Sequence, residues 1–180
     1  MRTNIPSTPP RWENRLRKEI RAARRVLVLA VGNPVKGDDG AGLACAKKLK
    51  TLIRSQARSR LKILLGYETP ENLTGKIRKF SPGLVLILDA AFGPDKSGRI
   101  FIVKREQIQD EGTSTHRISL SLLVSYLEET VGCKVLILGI QPLRLNQGEK
   151  LSGPVEKATD RLAAYLARIF LAAGSQAFPG

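Results

Sequence analysis

Four near-continuous apolar runs, at residues 26–31, 61–65, 84–88 and 135–140, constrain this chain more than any other feature. Each is short, dominated by Val, Ile and Leu, and bounded by turn residues, which is the pattern of a strand buried on both faces. Segments of helical periodicity separate them, at 39–53, 70–80 and 119–131, the last with Leu120, Leu123, Val124 and Leu127 on one face. Parallel strands need a long crossover and a helix supplies it, so this alternation implies βαβ units. A shorter strand is expected at 99–103, after the turn 93–98, in a hairpin-like connection with the strand ending near Leu88. A closing helix over 153–173 places Val155, Leu162, Tyr165, Leu166, Ile169 and Phe170 on a core face, and Gly174 suits its stop. The expectation is a three-layer α/β/α sandwich with a mostly parallel sheet of about five strands.

At 180 residues and 42% hydrophobic content, the chain suits one core. It divides into a basic N-terminal extension, 1–24, a single α/β domain, 25–174, and a flexible tail, 175–180. The extension opens Pro-rich and continues as an amphipathic helix from about 10 to 24, with Trp12, Leu16, Ile20 and Ala23 at helical spacing. It reads as an accessory element outside the main fold, with a role against the sheet edge or against a partner. No apolar stretch approaches the roughly 20 residues that span a bilayer. The N-terminus also lacks the apolar centre of a signal peptide, so a cytoplasmic protein with no membrane insertion is expected. Cys45 and Cys133 read as reduced packing residues.

A formal charge of +14 invites a nucleic-acid partner, because Lys and Arg neutralise phosphates. The charge is confined, however. Residues 1–25 carry eight basic and two acidic side chains, residues 41–66 seven basic and none acidic, and the remainder nearly cancels. Aromatic content of 5% leaves little for base stacking, so a solvated basic face is the favoured reading and no nucleic acid is expected. A weak steering of an acidic protein partner stays open.

Chemistry concentrates in the turn at 32–42, Gly-Asn-Pro-Val-Lys-Gly-Asp-Asp-Gly-Ala-Gly. Its glycine spacing imitates a phosphate loop, but Asp38 and Asp39 stand where such a loop has Lys and Ser or Thr. Two carboxylates at a helix start repel phosphate and favour a cation. In open α/β sheets, sites form beyond the carboxyl ends of strands, which singles out Asp39, Asp89 and His116, the last in Thr113-Ser114-Thr115-His116. Together they offer mixed oxygen and nitrogen ligation that suits a borderline divalent metal such as nickel or zinc. Singly, each has a plainer explanation. An Asp at a helix start is commonly a cap, and a solitary His in a polar stretch is commonly a surface or capping residue. Asp89, ending a buried apolar run, needs a partner or a cleft.

Five short matches in order give the chain a resemblance over about residues 25–170 to the hydrogenase maturation endopeptidases. They are Gly32-Asn33-Pro34 with Gly37-Asp38-Asp39-Gly40-Ala41-Gly42, Pro70-Glu71-Asn72, Leu88-Asp89-Ala90, Thr115-His116, and Leu138-Gly139-Ile140-Gln141-Pro142. The resemblance implies a phosphorylase/hydrolase-like fold and a peptidase, aspartic-type by family classification, that trims the C-terminal extension of a [NiFe] hydrogenase large-subunit precursor after nickel insertion. It further implies that Asp39, Asp89 and His116 bind the metal. That metal is nickel presented by the precursor, with zinc or cadmium as in vitro occupants. Asp38, beside a ligand, is the expected general base. A nucleophilic triad lacks its usual base, since the single histidine is committed to metal. A monomer is expected. The chain departs from some relatives at Leu65-Gly66-Tyr67-Glu68, where they carry an Asp-Gly-Gly turn. The alternatives are another metal-dependent hydrolase on the same scaffold, or a basic nucleic-acid-binding module.

Overall fold

The computed structural model describes residues 11–53, 60–93, 96–105 and 115–174. Five strands form one sheet: β1 (Val26–Val31), β2 (Leu61–Tyr67), β3 (Leu84–Ala90), β4 (Ile100–Ile102) and β5 (Lys134–Ile140). Their order is β2-β1-β3-β5-β4, parallel throughout except for β4, which runs antiparallel to β5. The helices are α1 (Arg11–Ala22), α2 (Ala41–Ile53), α3 (Thr74–Phe80), α4 (Thr115–Tyr126) and α5 (Gly153–Gly174). Short 3-10 turns lead into α2 and α3, and a π-helical turn, Leu127–Val131, ends α4.

Alternate strand residues feed two cores. Val26, Val28 and Ala30 of β1 face α1, α2 and α5, while Leu27, Leu29 and Val31 face α3 and α4. Both faces of β1 are therefore buried, which is why its sequence reads as an unbroken apolar run rather than an alternating one. The expected three-layer sandwich is the observed architecture.

One expectation is corrected. The short strand β4 does not pair with β3. It pairs with β5, Ile100 opposite Ile140 and Ile102 opposite Leu138, so β5 is inserted between the two. Gln141 fixes this arrangement: its N–H donates to the Arg99 carbonyl (2.9 Å) and its carbonyl accepts from Gly98 N–H (2.8 Å). Residues 94 and 95 of the connecting turn lie outside the described residues.

Of the two placements left open for the N-terminal helix, α1 takes the one against the domain, packing on β4 and α5. Leu16 and Ile20 are fully enclosed, and the Trp12 ring meets Tyr165 of α5 edge-on at 5.5 Å. The Tyr165 hydroxyl donates to the Glu13 carbonyl (2.9 Å), and Lys134 at the start of β5 pairs with Glu19 (2.6 Å). Burying side chains of this size stabilises by about 1.5–3 kcal/mol each, enough to bind the helix firmly to the domain. The sequence pattern showed the apolar stripe of α1 but not the surface that covers it. The Pro-rich opening, 1–10, and the expected tail, 175–180, lie outside the described residues.

Both cysteines are free and buried, Cys45 in α2 and Cys133 just before β5. Burial pushes the Cys45 thiol up to about 12 and raises that of Cys133 as well, so neither forms a reactive thiolate near neutral pH. No helix among the described residues is long and apolar enough to cross a membrane.

Candidate active site

The strand order reverses at β1, with β2 on one side and β3 on the other. The chain leaves β1 into α2 on one face, and after β3 it reaches α4 on the opposite face. A crevice therefore opens between the carboxyl ends of β1 and β3, the usual ligand position in such sheets. Asp39 lies in the turn that leaves β1, and Asp89 lies in the last turn of β3, opposite Gly139 of β5.

Glycines bring that turn close. A Cβ on Gly42 would collide with the Leu88 carbonyl oxygen, so only glycine lets α2 start directly against the end of β3, one residue before Asp89. At Gly32, φ is +121°, and a Cβ there would strike the Asp39 carbonyl oxygen. The turn is then held by its own groups. Asn33 Oδ1 accepts from Val35 N–H (2.9 Å), and Asp39 Oδ2 accepts from Asn33 N–H (2.7 Å). This Asx turn accounts for Asn33-Pro34 in the motif. Asp39 is partly exposed, and among the described residues its Oδ1 has no hydrogen-bond partner. One carboxylate oxygen is thus anchored, and the other is not engaged by any described residue.

Asp89 is partly buried and takes part in a polar interaction of its own. His116 occupies the first turn of α4, and its side chain lies outside the described residues, as do residues 113 and 114. Among the described residues no three His, Cys, Asp or Glu side chains converge; Asp39 and Asp89 lie at the carboxyl ends of the neighbouring strands β1 and β3.

Asp38 behaves differently from its neighbour. It is fully buried, and its carboxylate accepts four hydrogen bonds: from Ser152 N–H (2.6 Å) on Oδ1, and from Leu143 N–H (2.8 Å), Ser152 Oγ (2.8 Å) and Arg144 N–H (3.1 Å) on Oδ2. Burial pushes its pKa up, but these donors outweigh burial and hold it below the ordinary carboxylate range. A general base must be reachable by water and have a lone pair free for the proton. Asp38 is fully buried, so this geometry favours a structural place for it over the base role expected from its position beside Asp39. Its place is that of a clamp tying the turn after β1 to the β5–α5 loop, reinforced by Asp38 N–H to the Arg144 carbonyl (3.1 Å) and Gly148 N–H to the Val35 carbonyl (2.7 Å).

With this crevice in view, comparison with known proteins is decisive. Residues 43–169 match the family HycI, hydrogenase maturation protease. The chain belongs to the hydrogenase maturation protease family. It is similar to the hydrogenase 3 maturation protease of Escherichia coli, 31% identical over 135 residues that cover 74% of this chain and 83% of the relative. Its structure resembles that of a [NiFe] hydrogenase maturation protease, HycI, from Thermococcus kodakarensis, with a TM-score of 0.78 and 31% identity over 87% of this chain and 98% of the other. A crystal structure of a hydrogenase 3 maturation protease superposes with a TM-score of 0.67 at 30% identity, covering 78% of this chain and 87% of the other. The protein is accordingly a peptidase of hydrogenase maturation.

Two residues of this protease that shape the site escaped sequence reasoning. Ser152 precedes α5, where a serine reads as an N-cap. Its carbonyl does start the helix, accepting from Glu156 N–H (2.9 Å), but its side chain turns to Asp38 instead. Gln141, half of the Gln141-Pro142 signature, is buried and accepts Gly93 N–H on Oε1 (2.6 Å), fixing the segment that leaves β3 just after Asp89. Nothing local in the sequence announces either contact, since each partner lies far away along the chain.

Proposed function

We propose that this protease removes the C-terminal extension of a [NiFe] hydrogenase large-subunit precursor, and that it recognises the precursor through nickel already inserted there. The observation that carries this reading is the placement of Asp39 and Asp89 at the carboxyl ends of the neighbouring strands β1 and β3, with Asp39 Oδ2 held by Asn33 N–H and Oδ1 without a hydrogen-bond partner among the described residues. His116, in the first turn of α4, is the proposed third ligand. Two carboxylates and an imidazole fit nickel by donor type. The metal arrives with the precursor and is substrate, not a resident cofactor of this chain.

The chemistry then follows from differential binding. A ligand set that gains contacts only with a loaded precursor binds it more tightly than an empty one, which makes metal insertion a condition for cleavage. A cation near the scissile carbonyl polarises it toward attack. Asn33 orients the Asp39 carboxylate, and Asp38, through its four donors, holds the turn that carries Asp39 against the β5–α5 loop.

The test is trimming of purified precursor, loaded with nickel or empty, followed by mass spectrometry. Only loaded precursor should lose its tail. Both Asp39→Asn and His116→Ala should stop trimming by at least ~100-fold while circular dichroism stays native, because each removes a ligand the transition state needs. Equal trimming of empty precursor would remove nickel recognition from this reading. Absence of any trimming by the wild type would remove C-terminal processing itself.

A further inference from the structure

Exposed apolar residues are ordinary when scattered and informative when gathered. Of the eight large hydrophobic residues exposed among the described ones, five lie in the segments that leave the carboxyl ends of the strands: Val35 after β1, Tyr67 at the end of β2, Phe92 after β3, and Leu143 and Leu145 after β5. The other three are on helices. The apolar surface therefore rims the crevice that holds Asp39 and Asp89.

Tyr67 is the unusual member. Its φ is +51°, a left-handed conformation that a bulky side chain adopts only under strain. The surrounding structure imposes it. The β1–β2 register steps from Ala30 opposite Leu65 to Val31 opposite Tyr67, leaving Gly66 as a bulge, and the Tyr67 carbonyl is held by Gly32 N–H (3.0 Å). The ring gains little from the fold in return. It is 43% exposed, belongs to neither core, and its hydroxyl has no hydrogen-bond partner among the described residues. Glycine would fit this backbone without strain. A strained tyrosine kept where glycine would serve better, on the lip of the site, points to contact with something outside the chain.

We propose that Tyr67, on the turn bridged to that after β1 by Gly32 and Lys36, is a specificity-determining wall that packs against an apolar side chain of the precursor segment next to its scissile bond. An apolar occupant suits the rim's charges, since Lys36 is paired with Glu68 (3.7 Å) and Arg144 with Glu149 (2.5 Å), leaving no net local charge from these pairs to select a charged residue. The occupant is the precursor because the wall is continuous with the crevice where Asp39 would meet it. This inference rests on the precursor-trimming reading given above.

The experiment measures KM and kcat for nickel-loaded precursor, together with Tm, for wild type, Tyr67→Gly, Tyr67→Phe and the distant control Leu52→Ala on α2. Loss of a buried aromatic anchor should raise KM ~10-fold or more in Tyr67→Gly, with kcat changed much less. Its Tm should be no lower than wild type, because relief of the positive φ offsets glycine's added freedom in the unfolded chain. Tyr67→Phe should restore KM, and Leu52→Ala should not move it. Wild-type KM in Tyr67→Gly overturns the proposal. So does a Tm lower by more than ~4 °C, which would assign the ring to the fold. Failure of the wild type itself to trim loaded precursor would instead overturn the functional reading, so the two failures are distinguishable.

Discussion

The turns that leave β1 and β2 lie side by side, bridged by Gly32 N–H to the Tyr67 carbonyl and by Lys36 to Glu68, yet they are built on opposite terms. In the first, positive φ falls on Gly32 and Gly37, where it costs little, and backbone and carboxylate groups are tied together from Asn33 to Ser152. In the second, positive φ falls on Tyr67, and the side chains at its tip face solvent. The first turn is a rigid mount for a carboxylate that must sit at a set position. The second carries exposed side chains that suit the contact role proposed for Tyr67 and can change without disturbing that mount. A site that holds a fixed chemistry while serving a particular partner separates the two tasks in this way.

Three substitutions probe that contrast through stability. The largest effect is expected for Gly32→Ala, which meets both a forbidden φ and the Asp39 carbonyl oxygen. It should destabilise by about 4 kcal/mol or more in urea unfolding. If it proves as mild as a change in the second turn, the rigid mount is not there.

Asp38→Asn comes next, at about 2–4 kcal/mol near neutral pH, because an amide cannot accept all four donors now answered by the carboxylate. The same variant sharpens the picture through pH. The folded-state pKa of Asp38 is depressed, so its stabilisation is complete above the ordinary carboxylate value and is lost as pH falls from there through the folded value. Wild type should lose stability over that acid window, and the Asn variant should show a flatter profile. Parallel profiles would mean that Asp38 is not the titrating clamp.

The smallest effect is expected for Glu68→Gln in the second turn. Its contact with Lys36 is long and its side chain is 40% exposed, so a change within about 0.5 kcal/mol is expected by the same unfolding measurement. A loss comparable to that of Asp38→Asn would erase the distinction between the turns.

Much of the fold was legible because burial on both faces writes an unbroken apolar run into a strand, and β1, β3 and β5 carry that signature over nearly their full lengths. The exceptions are instructive. The three-residue β4 has too short a pattern to reveal its neighbour, and its pairing with β5 depends on hydrogen bonds from Gln141 some 40 residues away. The stripe on α1 was visible, but Tyr165, which receives it, belongs to the last helix. Turn composition and position after a strand selected Asp39 and Asp89 in the sequence, and both lie at the carboxyl ends of neighbouring strands.

The adjacent pair Asp38-Asp39 marks the boundary between what residue order determines and what it leaves to folding. Glycine spacing, strand-end position and charge raise the expectation of a cation at this turn, since those properties act locally and are carried by neighbouring residues. With the family resemblance, they assign Asp39 to metal and Asp38 to proton transfer, but say nothing of how each carboxylate is held. Folding decides that, by carrying the N-terminus of α5 and the loop before it onto Asp38, while Asp39 Oδ1 has no hydrogen-bond partner among the described residues. Four hydrogen bonds from residues more than 100 positions away use up one carboxylate and spare the next. The physical reason is that hydrogen-bond satisfaction depends on which groups meet in space, and adjacency in the chain carries no record of it.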